Sequence, residues 1–328
     1  MLSIDRLRSH LASDPTNVHL ACDLADALFA QGLHASARET LEGLPESARS
    51  EPAVRFRQSR LDLVFGQYAR AEQTLDQLRA FAPESAAIWH DLAFAQLCQR
   101  NLLAAESTVA EAVVRVGDTL ELSLVRARLA MIRRDYGRAE MALSQALSFD
   151  GNNPTALGLR ALSALDSGQP DQAESLAIEC LSRHPEQHEA LLALGTTALW
   201  KRDLEVAERA FERVLARFPN SGRALAGLGQ WCMLRNDLAK ARGLLEQAVV
   251  AMPDHIGTWH ALAWVQLLQG ERRAAAASYA AAYELDRNFA ESHGGLALIA
   301  ALDGDTASAE TGVKKALRLD ANCMTARY

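Results

Sequence analysis

IGTWHALAWVQLLQGERRAAAASYAAAYELDRNF, residues 256–289, is the stretch whose pattern decides the fold. Within it Leu262 and Val265 lie three residues apart, and Ala275, Tyr279 and Ala282 lie four and then three apart, the spacing of one helix face. Gly270 stands between the two runs, where it tolerates the left-handed backbone that ends a helix. The stretch therefore reads as helix, tight turn, helix.

The same pattern extends in both directions at a fixed period. Ala275 is one of nine alanines spaced by 34 residues: Ala37, Ala71, Ala105, Ala139, Ala173, Ala207, Ala241, Ala275 and Ala309. Taken as position 20 of a unit, they set repeats at 18–51, 52–85, 86–119, 120–153, 154–187, 188–221, 222–255, 256–289 and 290–321, without insertion. Position 8 is always small (Ala25, Ser59, Ala93, Ala127, Ala161, Gly195, Gly229, Ala263, Ala297), so two helices can approach closely there. Position 15 holds Gly32, Gly66, Gly168, Gly270 and Gly304, with Asn236 in another repeat, and Pro83, Pro185, Pro219 and Pro253 stop the second helix. Pro170 falls at the start of a second helix, where proline is tolerated. Strand signals are absent, and a stacked repeat of this length makes one elongated all-α domain.

The W-x-x-L-A runs Trp89–Ala93 and Trp259–Ala263, the Leu-Gly pairs Leu194–Gly195 and Leu228–Gly229, the periodic alanine and the closing proline resemble the tetratricopeptide repeat over residues 18–321. The resemblance implies a right-handed superhelical solenoid of antiparallel helix pairs whose first helices build a concave wall for a peptide or a partner's helix. Three residues depart from it. Gln58, Arg126 and Arg160 occupy position 7, normally apolar, so these side chains pair locally or the stack is looser there. Residues 1–17 read as a capping half-repeat with Leu7 and Leu11 one turn apart, and residues 322–328 as the start of a tenth repeat. No polar capping helix follows, which leads us to expect that the natural protein continues or that another chain, including a second copy, covers this end.

Composition narrows the function classes. A net charge of -7 argues against the clustered positive charge that nucleic acid or anionic membrane requires. Only four of the 34 basic residues are lysines, an arginine and alanine bias that goes with a GC-rich bacterial genome. Cys22, Cys98, Cys180, Cys232 and Cys323 are odd in number and sit mostly within helical patterns, which suits reduced, packed thiols. With no apolar leader and no run of 18 apolar residues, the expected setting is the cytoplasm, without membrane insertion. No nucleotide, zinc-protease, serine-hydrolase or dithiol motif occurs, so no catalytic residue, metal or cofactor is expected. His184 and His188 are four apart, but Pro185 lies between them and they read as an exposed loop pair. Asp150–Pro154 lacks the further oxygen donors of a calcium loop and reads as a turn between repeats.

By the family resemblance, positions 2, 5, 6, 9, 12 and 13 of each first helix face the groove. The expected partner-binding residues are Phe56, Arg57, Arg60, Phe94, Arg128, Leu162, Trp200, Gln230, Trp264 and Leu298. Asp23, Arg57 and Asp91 suggest an ion-pair ladder between neighbouring helices, and Gly227, Ala261 and Gly295 suggest space for an apolar partner. The sequence thus reads as a non-catalytic scaffold or adaptor for a peptide or amphipathic helix. Its alternative is the N-terminal targeting module of a larger protein.

Overall fold

The computed structural model describes residues 3–327, so Met1 and Leu2 of the leading half-repeat and Tyr328 of the expected tenth lie outside it. The described chain is helical throughout, with no strand among the described residues. In order the helices are α1 (Ile4–Ser13), α2 (Val18–Ala30), α3 (His34–Glu42), α4 (Glu46–Arg49), α5 (Pro52–Val64), α6 (Tyr68–Phe81), α7 (Ala86–Cys98), α8 (Leu102–Val116), α9 (Leu120–Ile132), α10 (Tyr136–Phe149), α11 (Pro154–Asp166), α12 (Pro170–Arg183), α13 (His188–Trp200), α14 (Leu204–Arg217), α15 (Gly222–Leu234), α16 (Leu238–Ala251), α17 (Ile256–Leu268), α18 (Arg272–Leu285), α19 (Ala290–Leu302), α20 (Thr306–Leu319) and α21 (Met324–Arg327). The described residues form two compact bodies that divide between Leu159 and Arg160.

Each hairpin is built by the same local chemistry. The residue at position 15 has positive φ in all nine repeats, and the amide that follows it donates back to the carbonyl at position 11, as in Leu33 to Leu28 (2.9 Å) or Asp237 to Cys232 (2.9 Å). This bond satisfies an orphan carbonyl of the first helix and reverses the chain. Asn101, Asp135, Asp203, Asp237 and Asp305 then cap the second helix, each accepting the amide three residues on. Helix α3 is shorter than its counterparts because Gly43 and Pro45 interrupt it, and α4 completes that repeat.

Position 15 carries arginine in three repeats, and Arg100, Arg134 and Arg202 adopt φ of 62°, 59° and 64°. A side chain with a Cβ pays about 1 to 2 kcal/mol for that conformation. Arg134→Gly and Arg202→Gly are each expected to stabilise the protein by about 1 kcal/mol, read as a higher urea midpoint. An unchanged or lower midpoint would reveal a compensating contact of the arginine.

Between hairpins, small residues accept the knobs of their neighbours. The periodic alanines from Ala37 to Ala275 are fully buried, and Ala309 is 8% exposed. Trp89 and Trp259 seal their repeats by donating Nε1 to the carbonyls of Pro83 and Pro253 at 2.7 and 2.8 Å. His293 makes the equivalent bond to the Arg287 carbonyl (2.8 Å). Inside two hairpins a buried polar bond ties first helix to second, Thr108 to Gln96 (2.7 Å) and Ser278 to Gln266 (2.8 Å).

Cys22, Cys180, Cys232 and Cys323 are buried and Cys98 half-buried, all as free thiols. Burial raises the pKa of each, that of Cys180 to about 11, so they act as small apolar fillers rather than nucleophiles. Among the position-7 residues, Arg126 pairs locally: its Nη2 donates to Asp118 (2.5 Å) and to Ser123 Oγ (3.2 Å).

Candidate functional site

The first helices of the N-terminal body carry a charged and aromatic strip. Arg57 of α5 donates Nε and Nη2 to one carboxylate oxygen of Asp26 on α2, at 3.0 and 2.6 Å. Arg60, one turn on, lies over the Phe29 ring at 4.6 Å and 3.8 Å from Asp91 of α7. Asp91 is also 2.8 Å from His90 Nδ1, and the His90 and Phe94 rings stack with centroids 6.1 Å apart. The ion-pair ladder therefore runs Asp26–Arg57 and Arg60–Asp91, through Asp26 where the sequence pointed to Asp23. Phe56 and Phe94 are half-buried, packed against the cores that contain Leu92 and Leu97 respectively, and Arg128 is half-buried. The Arg57 and Arg60 side chains are 24 and 41% exposed.

In the C-terminal body the expected residues divide. Gln230, Trp264 and Leu298 are half-buried, and Trp200 is 56% exposed. Leu162, expected on the wall, is 6% exposed and belongs to the core. Position 6 is also largely core, with Ala193 buried here as Val125 and Leu159 are in the other body. Gly227 and Gly295 leave no empty space: a Cβ on Gly227 would sit 2.3 Å from the Phe211 ring, and one on Gly295 2.3 Å from the Tyr279 ring. These glycines exist to admit an aromatic residue from the preceding second helix.

Among the exposed apolar side chains of this body, those at position 13, the C-terminal residue of each first helix, recur at the repeat interval. Trp200, Leu234, Leu268 and Leu302 end α13, α15, α17 and α19 with 56, 41, 51 and 43% exposure. Leu268 and Leu302 escaped the sequence reading, although their 34-residue spacing from Trp200 and Leu234 was there to be seen. Beside this stripe Lys201 is held by Asp171 and Glu174, both at 2.8 Å. Arg223 of α15 reaches past α13 to both carboxylate oxygens of Asp166 at the end of α11, each at 2.8 Å, tying alternate first helices together.

The remaining sequence features are structural. His188 opens α13 with its ring edge-on to Phe218 (centroids 4.8 Å apart) and Nε2 3.2 Å from Ser221 Oγ, so it is a packed residue and not an exposed loop histidine. Asp150 accepts the Asn152 amide at 3.0 Å, and Asn153 caps α11 through the Ala156 amide at 3.0 Å. No group of three or more His, Cys, Asp or Glu side chains suited to a metal ion occurs among the described residues, and none of the described helices is long and apolar enough to cross a membrane.

Family models described as tetratricopeptide repeat match residues 159–201 and 192–256, and a second such model matches residues 4–57. No curated protein matches the sequence. Among solved structures, a chain of the crystal structure of the APC/C hetero-tetramer Cut9-Hcn1 superposes with a TM-score of 0.74 and 16% identity, covering 89% of this chain. This chain spans 57% of the length of that one. Human IFIT1, solved as a dimer with PPP-AAAA, gives a TM-score of 0.62 at 16% identity over 94% of this chain and 79% of its own. A tetratricopeptide repeat protein from Parabacteroides merdae gives 0.50 at 18% identity, over 76% of this chain and 98% of its own. At such identities the likeness concerns the fold alone.

Proposed function

The chain is a tetratricopeptide repeat protein, a fold that supports protein-interaction scaffolds, and from that premise we propose that it binds an apolar or amphipathic segment of a partner protein along its first helices. The observation that carries this reading is the stripe Trp200, Leu234, Leu268 and Leu302. A folded chain gains nothing from leaving four large apolar side chains in register on the surface, whereas a partner segment that covers them removes that area from water. Tryptophan at one end supplies the kind of anchor at which binding energy concentrates. The half-buried residues Gln230, Trp264 and Leu298 would complete the surface in this body, and Phe56, Arg57, Arg60, Phe94 and Arg128 would form a separate, more polar surface in the other. A net charge of -7 favours a protein over a nucleic acid as the partner.

The test compares capture by the parent chain with capture by Trp200→Glu/Leu268→Glu, followed by titration of the purified captured protein. Because both side chains are exposed, helical content and melting should stay unchanged while affinity falls by about 2 kcal/mol or more, about thirtyfold. Trp264→Ala and Phe94→Ala are expected to weaken capture in the same assay. Equal affinity of parent and double variant would remove the stripe from the binding surface.

A further inference from the structure

The interrupted second helix of the first repeat leaves a cleft of about 520 Å³ in the N-terminal body, with a pocket of about 230 Å³ beside it. Helix α3 runs for nine residues where α6 runs for fourteen, and the four-residue α4 takes the place of its last turns. Gln58 stands at position 7, where Leu92, Leu194, Leu228 and Leu262 stand in other repeats. The cleft lies between α4, α5 and α6. Among the described residues no apolar side chain lines it, and Leu61 alone does so in the adjoining pocket.

The charges in this lining are unequal. Arg38, Arg49, Arg55 and Arg70 bring four guanidinium groups to the two cavities, against the carboxylates of Glu42, Glu46 and Asp62. Asp62 is already engaged: Arg38 donates to one oxygen at 2.9 Å, and Arg70 Nε lies 3.4 Å from the other. Arg55 donates to the neutral Gln77 side chain. Arg49 has neither an ion pair nor a side-chain hydrogen bond among the described residues, and Glu42 and Glu46 are exposed to water. The Arg70 side chain is 69% exposed and Arg49 is exposed too, so both guanidinium forks are open to a ligand. Gln58 and Thr74 are half-buried in the same lining, and neither side chain has a hydrogen-bond partner among the described residues.

We propose that this cleft binds a sugar phosphate, its phosphate held by Arg49, Arg55 and Arg70 and its hydroxyl groups by Gln58 and Thr74. The guanidinium surplus favours a dianion, and planar guanidinium forks match phosphate oxygens. An organic cation would meet that surplus as repulsion. A lipid chain or a nucleobase would find no apolar wall to cover it, whereas the amides and the hydroxyl replace the water around a sugar. The volume lies within the ordinary range of small-molecule sites.

The experiment titrates the full chain by calorimetry with glucose 6-phosphate, glucose, inorganic phosphate and a phosphoserine peptide. Glucose 6-phosphate is expected to saturate the chain and to bind about tenfold or more tighter than each of the other three. Arg49→Gln, at an exposed side chain without a partner, should weaken it about tenfold and leave the urea midpoint unchanged. Gln58→Leu, which places here the leucine of other repeats, should weaken glucose 6-phosphate and leave inorganic phosphate unaffected. The proposal is overturned if glucose 6-phosphate fails to saturate, if glucose, inorganic phosphate or the peptide binds as tightly, or if both variants bind glucose 6-phosphate like the parent.

Discussion

Gly227→Leu is expected to destabilise the C-terminal body by about 3 kcal/mol, the upper end of the usual cost of overpacking. The fully buried Phe211 ring of α14 lies between two glycines, with hypothetical Cβ atoms at 2.8 Å on Gly195 of α13 and 2.3 Å on Gly227 of α15. Neither helix can retreat without opening its other contacts, so the ring must leave its rotamer or the hairpins must part. The same geometry predicts a change of sign. In a Phe211→Leu background, which places at this position the leucine found at Leu41, Leu75, Leu143 and Leu245, Gly227→Ala should become neutral or stabilising by up to about 1 kcal/mol from helix propensity. With Phe211 in place the same substitution should destabilise. Guanidinium unfolding of the four chains, followed by circular dichroism, gives the coupling. Additive effects would show that the ring and the glycine do not share one space.

This pairing also shows where sequence reasoning reaches its limit. The helix starts at Val18, Pro52, Ala86, Leu120, Pro154, His188, Gly222, Ile256 and Ala290 were legible, because helix periodicity, the small residues and the turn glycines all repeat at one interval. The side that a small residue faces was not. Gly227 and Gly295 read as open groove, but position 6 lies about 60° around the helix from position 9, enough to turn it towards the preceding second helix. The ladder missed Asp26 for the same reason, since Asp23 and Asp26 differ by one step around α2. Arginine at position 15 concealed a left-handed backbone that glycine announces elsewhere, as Arg134 and Arg202 show. Position 13 was expected on the groove and Trp200 was named there, but Leu268 and Leu302 were not singled out, because a leucine at a helix end reads equally well as core.

The second large effect is expected at a buried carboxylate. Asp62 of α5 is 4% exposed and is held by Arg38 of α3 at 2.9 Å and by Arg70 of α6 at 3.4 Å. The Arg70 side chain is 69% exposed, so Arg38 is the main buried partner, and its guanidinium also lies 4.0 Å from the centre of the Phe65 ring. Arg38→Met keeps an apolar contact for Phe65 but removes the charge, and should cost about 3 kcal/mol because it leaves a buried carboxylate with the exposed Arg70 as its one cation at 3.4 Å. Alanine occupies the position of Asp62 in four other repeats, at Ala130, Ala164, Ala198 and Ala300, so Arg38→Met/Asp62→Ala should recover most of the loss. The pH dependence separates charge from packing. Burial already pushes the Asp62 pKa above the ordinary carboxylate value, in spite of both arginines, and loss of Arg38 pushes it further. A carboxyl whose pKa is raised by folding holds its proton more tightly in the folded chain. Its unfavourable charged form is therefore absent below the unfolded pKa and develops as pH rises through the folded one. The Arg38→Met deficit should be full at neutral pH and shrink steadily on acidification, whereas a deficit that is the same at both ends of the titration would assign Arg38 to packing on Phe65 alone.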